Sequence, residues 1–222
     1  MELDLILDIG STHLGDPKLL KQHIDYASRL PVKLKAQLFP REAAGPNTYL
    51  PLERYREAWE YAESKEVTMF SSVFSIPLAI ELSAIDNSQV KLSYSMRGML
   101  PTMLDPSLPL FDFVYMSIPY TEAPQVRDKR VSYLLCIPEY PVLHDIPVRS
   151  IDWEMFDGFS DHTLGIKQTV DLVHAVQDTG RVRRFTLEKH VRLLDNRSCP
   201  DATFAITWDQ VEELIRRTTC VY

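Results

Sequence analysis

Apolar and polar positions along the chain follow two rhythms. Short apolar runs that end in polar turns read as buried strands. Longer stretches with apolar residues three and four apart read as helices packed on one face. The first run, Leu3–Ile9, closes at Asp8-Ile9-Gly10. A polar turn, Ser11–Asp16, follows, in which Asp16 is a helix N-cap with Pro17 at the first helical position. The helix reaches about Arg29, with Leu19, Leu20, Ile24 and Ala27 on one face, and Pro31 stops it. Val32–Gln37 is the second strand, with Lys33, Lys35 and Gln37 on one face and Val32, Leu34 and Ala36 on the other. Next come a helix over Leu52–Lys65, a strand over Thr68–Phe74, a helix over about Ile76–Ser83 and a strand over Gln89–Ser93. Strands at Phe113–Ser117, Tyr133–Ile137 and Phe156–Ser160 precede a helix from about Leu164 to Gln177. An eighth strand, Arg184–His190, and a helix from about Trp208 to Arg217, capped by Thr207, complete the chain.

Strands at this spacing, with helices between several of them, predict an α/β fold, the (β/α)₈ or TIM barrel. With 222 residues and no linker or repeat, a single domain over 1–222 is expected. The chain is shorter than the roughly 250 residues usual for this barrel. The shortfall falls after strands four to six: Met99–Leu110 holds three prolines, and Pro119–Arg130 and Tyr140–Trp153 leave room for short turns. Helices there should be shortened or missing, and that thin side should need a covering partner, such as a second copy, or be less apolar than usual.

Hydrophobic content of 45% and charged content of 25% fit an ordinary globular domain. A net charge of −7 without a long basic run disfavours nucleic acid and anionic membranes as partners. The densest basic group, Arg181, Arg183, Arg184 and Lys189, reads as a solvated face. The three cysteines, Cys136, Cys199 and Cys220, are unpatterned and point to a reducing, cytoplasmic setting. No apolar run is long enough to span a membrane, and Met1–Asp4 does not open a signal peptide.

Catalytic groups of such a barrel sit at the C-terminal ends of its strands. The polar residues expected there are Asp8, Lys35, Gln37, Ser72, Lys91, Ser93, Ser117, Tyr140, Ser160, His162, Glu188 and His190. Ser160 and His162 share one face, as do Glu188 and His190, so two successive strands each end in an inward histidine. Two such imidazoles could hold one divalent transition metal; each alone is more often a structural residue, and it is the repetition that brings the metal reading level with that one. Lysines and hydroxyls suit a phosphate or carboxylate.

Several segments resemble, in order, the motifs of the N-acetylneuraminate (sialic acid) synthase family. These are Asp8–Asp16, Lys35-Ala36-Gln37, Phe70–Phe74, Glu139-Tyr140-Pro141, Phe159–Gly165, and Leu187–His190 followed by Pro200-Asp201. The resemblance spans nearly the whole chain, and its Ser-Asp-His-Thr-Leu-Gly and Glu-Lys-His elements are specific. It implies a (β/α)₈ barrel that condenses phosphoenolpyruvate with an N-acylated aminosugar aldehyde, using a divalent metal, typically Mn²⁺, with Mg²⁺ or Zn²⁺ as alternatives. Phosphate is released and a 2-keto sugar acid forms. By motif position, His162 and His190 bind the metal, and Lys35, Ser72, Lys91, Ser117 and Ser160 hold phosphoenolpyruvate. Gln37, Tyr140 and Asp201 contact the sugar, and Asp8 stands where the family carries a glutamate near the reacting centre. Lys35, Lys91 and Asp8 are the expected catalytic residues. Departures concentrate in the sugar half: Thr12 for an Asn, Tyr94 and Met96 for a Ser and a sugar-binding Glu, Pro138 for a polar residue, and no antifreeze-like C-terminal domain within the sequence. A divergent synthase and a barrel that has lost the condensation and serves as a binding or scaffold protein are the two readings these departures leave.

Overall fold

The computed structural model describes residues 1–45, 48–124, 126–180, 184–193 and 199–219. Of the residues singled out above, Arg181, Arg183 and Cys220 lie outside that set.

Eight parallel strands form one closed barrel: β1 (Glu2–Gly10), β2 (Val32–Leu38), β3 (Met69–Val73), β4 (Gln89–Leu92), β5 (Phe113–Ile118), β6 (Val131–Cys136), β7 (Gly158–Asp161) and β8 (Arg184–Arg192). Each strand pairs with the next, and β1 pairs with β8 to close the ring. A two-residue strand, β9 (Ile206–Thr207), adds to the end of β8. Helices α1 (Pro17–Ala27), α2 (Leu52–Ser64), α3 (Ile76–Ser83), α5 (Lys167–Asp178) and α6 (Trp208–Thr219) cover the barrel; α4 (Leu100–Met103) is a single turn.

Local chemistry sets these bounds. Asp16 Oδ1 accepts from Lys18 N at 2.8 Å, and Pro17 takes the first helical position, as expected for α1. Thr207 and Gln210 make a reciprocal box at the start of α6: Thr207 N donates to Gln210 Oε1 (2.9 Å) and Gln210 N to Thr207 Oγ1 (3.4 Å). Helix α5 starts at Lys167 rather than Leu164, because Thr163 N is captured by Asp161 Oδ1 at 2.7 Å and Gly165 has φ of +61°. The other strand and helix ends fall within a few residues of the positions read from the pattern.

The thin side is as expected in its elements. A 3₁₀ turn (Tyr94–Met99) and α4 follow β4, no helix lies among the described residues between β5 and β6, and two 3₁₀ turns (Val148–Ser150 and Trp153–Met155) precede β7. Its surface differs from expectation. Val114, Met116, Ile118, Tyr133, Leu135 and Phe159 are all buried, in one continuous core with Leu100, Met103, Trp153 and Phe156. Trp153 is anchored by its indole N–H on Val148 O (2.9 Å) and by edge contact with Phe185. Among the described residues, single bulky side chains do part of the covering that helices do elsewhere, while Leu108, Tyr120, Val126 and Leu143 stay exposed on this side.

Lys189 corrects the reading of a solvated basic face. It is fully buried on the outer side of β8, where Nζ meets Asp161 Oδ2 at 2.9 Å and donates to Thr163 O at 2.6 Å; Thr169 of α5 closes the network on Asp161. Such a pair is costly to desolvate, and its partners repay that cost only through good geometry. Here it locks the ends of β7 and β8, directly behind the inward-facing histidines.

Inside the barrel, alternation sends Ile6, Phe70, Tyr115 and Leu134 inward, where they pack as a separate apolar layer. This layer divides the interior into a cavity at each end.

Candidate active site

The barrel register assembles the C-terminal cavity. Asp8 lies opposite both Lys35 and His190; Ser72 lies opposite Gln37 and Lys91; Ser160 lies opposite Glu188 and Cys136. The resulting cavity, about 200 Å³, is bordered by all eleven expected site residues: Asp8, Lys35, Gln37, Ser72, Lys91, Ser117, Tyr140, Ser160, His162, His190 and Asp201. Most are buried; Tyr140, at the rim, keeps more than half its surface exposed.

Charge is densely paired at the cavity floor. Lys35 Nζ meets Asp8 Oδ2 (2.7 Å), Ser72 Oγ (2.8 Å) and Glu188 Oε1 (3.5 Å), while Lys91 Nζ bonds Glu188 Oε2. Gln37 Nε2 donates to Asp8 Oδ2 at 2.9 Å. Glu188 thus bridges two ammonium groups. Burial opposes its ionisation, yet Lys35 and Lys91 hold its carboxyl well below the usual range. Burial pulls the Lys91 ammonium below its ordinary value against Glu188, whereas for Lys35 burial is outweighed by Asp8 and Glu188. Lys91 is therefore the more readily deprotonated of the two.

The two histidines sit side by side, ring centroids 5.7 Å apart, with Tyr140 tilted over His162 and Phe204 against His190. His162 Nδ1 lies 3.2 Å from Ile137 O, which can only accept, so Nδ1 carries the proton and Nε2 the lone pair. Burial, then the neighbouring His190, lowers the His162 pKa to about 4, so this ring is neutral at neutral pH. His190 Nε2 faces the Asp8 carboxylate at 3.2 Å, which places a proton there, and Nδ1 is buried without a hydrogen-bond partner among the described residues. Asp201 is held beside it by Ser11, whose N and Oγ donate to Oδ2 at 2.6 and 2.7 Å. Burial works against the Asp201 charge, but His190 and the Ser11 bonds keep its pKa below the ordinary value. This close approach requires Gly10, with φ of +52°: a Cβ there would stand 2.4 Å from Asp201 Oδ2 and 2.9 Å from His190 Nδ1.

These groups fit a divalent metal in an open site. Two imidazoles are available: His162, neutral through burial, and His190, with one buried ring nitrogen that has no hydrogen-bond partner among the described residues. Three carboxylates (Asp8, Glu188, Asp201) face two lysines (Lys35, Lys91), an excess of negative charge that a dication reverses. Among the described residues, no group of three or more His, Cys, Asp or Glu side chains is placed to hold a metal ion. His162 and His190 alone would leave coordination positions for substrate oxygens.

Sequence reasoning missed some of the cavity's residues and misjudged one. Cys136 borders the cavity, on the inward face of β6 with Ser132 and Leu134, and its alternation was readable. Burial pushes its thiol up to about 11, so it is no nucleophile at neutral pH. Phe39 and Phe74, stacked with centroids 4.0 Å apart, form part of the wall. Met96, expected in the sugar half, packs against the core and does not line the cavity; Ser93, Tyr94 and Ser95 do. Tyr94 is fixed by its hydroxyl on Glu122 Oε1 (3.0 Å) and by Arg97 above its ring (4.3 Å).

A closed parallel barrel with its polar cavity at the strand C-termini is the architecture of (β/α)₈ barrel enzymes. No protein-family model matches this sequence, and no curated protein sequence does. Solved structures match in fold. The N-acetylneuraminic acid (sialic acid) synthetase from Leptospira borgpetersenii, determined with citrate, is 18% identical, covers 99% of this chain and 83% of its own, and superposes with a TM-score of 0.79. The spore coat polysaccharide biosynthesis protein SpsE from Bacillus subtilis is 19% identical over 98% of this chain and 67% of its own, with a TM-score of 0.76. The phospho-2-dehydro-3-deoxyheptonate aldolase (DAHP synthase) from Thermotoga maritima is 12% identical over 98% of this chain and 68% of its own, with a TM-score of 0.69. No helix among the described residues is long and apolar enough to cross a membrane.

Proposed function

We propose that this protein is a metal-dependent synthase that joins phosphoenolpyruvate to a sugar aldehyde, forming a 2-keto sugar acid and releasing phosphate. The observation that carries the reading is the convergence of two lysines, two histidines and three serine hydroxyls on one cavity at the strand C-termini. Buried charges cost several kcal/mol each to desolvate, and a barrel kept only as a scaffold has no use for such a cluster.

In this reading Lys35 and Lys91 neutralise the phosphate and carboxylate of phosphoenolpyruvate, and Ser72, Ser117 and Ser160 donate hydrogen bonds to them. A divalent metal held by His162 and His190, Mn²⁺ by preference, would polarise the aldehyde carbonyl as a Lewis acid. Gln37, Tyr140 and Asp201 orient the acceptor. Asp8, fixed by Lys35 and Gln37, orients a water for addition at C2 and takes up its proton. The C2=C3 electron pair bonds C3 to the aldehyde carbon, whose oxygen takes up one proton of the water; the water oxygen bonds to C2, and as the C2–O bond to phosphate breaks, the water's second proton leaves with phosphate and C2 becomes the keto carbonyl. The rim aromatics Tyr94 and Tyr140 favour an acceptor that presents an apolar face to the cavity wall.

Two outcomes follow. Alanine at both His162 and His190 should abolish stoichiometric Mn²⁺ binding measured by elemental analysis after dialysis; full metal content in that variant would remove the metal from the account. Lys35→Ala should weaken phosphoenolpyruvate binding by about 1.5–3 kcal/mol in titration calorimetry, as expected for a lost contact to a charged group. Wild-type affinity would show that the anion is held elsewhere.

A further inference from the structure

The barrel has a second cavity, about 390 Å³, at the opposite end. Inward-facing residues at the strand starts line it, among them Asp4 of β1, Lys33 of β2, Ser132 of β6 and Arg184 and Thr186 of β8. The layer of Ile6, Phe70, Tyr115 and Leu134 separates it from the C-terminal cavity. Inside such barrels, the layers of inward side chains are dominated by bulky branched residues. Here the strand starts contribute mainly polar groups.

Ser132 and Thr186 are 6% and 5% exposed, yet neither hydroxyl bonds to any other described residue. The Gln89 amide, also on the wall, is likewise free of such partners. None of these polar atoms is sealed from the cavity, so all three open onto it and can bond a polar occupant. The charges give its sign. Asp4 is already taken by Lys33 (2.7 Å) and Arg184 (3.4 Å), and Asp157 accepts from Tyr133 N (2.8 Å). Lys129, an exposed cation on the wall, makes no ion pair with a carboxylate among the described residues, though it lies near enough to Asp128 to lower that carboxyl's pKa. Three cations thus face two carboxylates that are already engaged. Phe113 and Tyr115, edge to face with centroids 5.0 Å apart, supply an apolar wall beside them.

We infer that this N-terminal cavity is a binding site for a small hydroxylated oxyanion, a carboxylate or a phosphate, whose oxygens meet Ser132, Thr186 and Lys129. The site is independent of the reading given to the C-terminal cavity.

Amide NMR of the full chain tests it residue by residue, with inorganic phosphate and D-gluconate as separate probes. Saturable shifts at Gln89, Ser132 and Thr186 with either probe are expected, phosphate alone marking a phosphate site and gluconate alone a hydroxylated carboxylate site. Lys129→Ala, which leaves the core untouched, should weaken that binding about tenfold, and Ser132→Ala should weaken it further. Shifts confined to Ser72, Ser117 and Ser160 would place the anion only in the opposite cavity and overturn the inference. So would undisturbed amides at the strand starts with both probes, or unchanged affinity in both variants. Silence at the C-terminal cavity would count against the synthase reading alone.

Discussion

Replacing Glu188 with alanine is expected to cost about 3–5 kcal/mol of folding stability. The residue is 3% exposed and bridges Lys35 and Lys91, so its loss leaves two buried ammonium groups facing each other with only Asp8 nearby. Added phosphate should restore part of that loss, and more than it stabilises the wild type, because an oxyanion can occupy the place of the missing carboxylate. Urea denaturation at fixed ionic strength, with and without phosphate, measures both effects. Unchanged stability of Glu188→Ala, or an equal phosphate effect on both proteins, would mean that the lysines are not held in this paired state.

The second large effect is acid sensitivity well above the carboxylate range. His13, His23 and His162 are buried, and desolvation is the first cause lowering their pKa values to about 4, about 3 and about 4. An unfolded histidine takes up a proton near pH 6.5, whereas these folded ones do not. The unfolded state therefore binds more protons below 6.5, and stability falls as pH falls. The contribution is complete above about pH 6.5 and is lost on descending toward 4, at about 1.4 kcal/mol per pH unit for each ring. Denaturation midpoints at pH 7.5, 6 and 5 should fall steeply, and His23→Gln should flatten the slope by about one proton. A flat profile between pH 7.5 and 5 would show that these rings are solvated or already charged.

The strands and the inward cup were legible in the sequence because both rest on local rules. Period-two alternation in Lys33-Leu34-Lys35-Ala36-Gln37 and in Glu188-Lys189-His190 fixes which side chains enter the barrel. The repeat of short strands fixes where their C-terminal ends meet. What stayed hidden depends on contacts between distant segments. Lys189 read as solvated because a lysine on an outer strand face usually is; its burial needs Asp161 and Thr169, whose positions only the packed α5 supplies. Glu188 was placed in the cup without a role, since bridging Lys35 and Lys91 requires the register of β2, β4 and β8 together. Met96 turns away because Tyr94–Met99 forms a 3₁₀ turn, whose threefold repeat sends it to the core side. The thin side followed from segment lengths, but its coverage by Trp153 and Phe156 did not.

The central claim is that this cavity joins phosphoenolpyruvate to an aldehyde. The most direct measurement incubates the Mn²⁺-loaded protein with phosphoenolpyruvate and a panel of aldoses that includes N-acetylmannosamine, then follows phosphate release and product mass together. Phosphate released only with an aldose, matched by a product carrying the added pyruvyl unit and absent from Lys91→Ala, is the expected result. Phosphate released equally without an aldose, or no turnover with any member of the panel and no phosphoenolpyruvate binding, would contradict it.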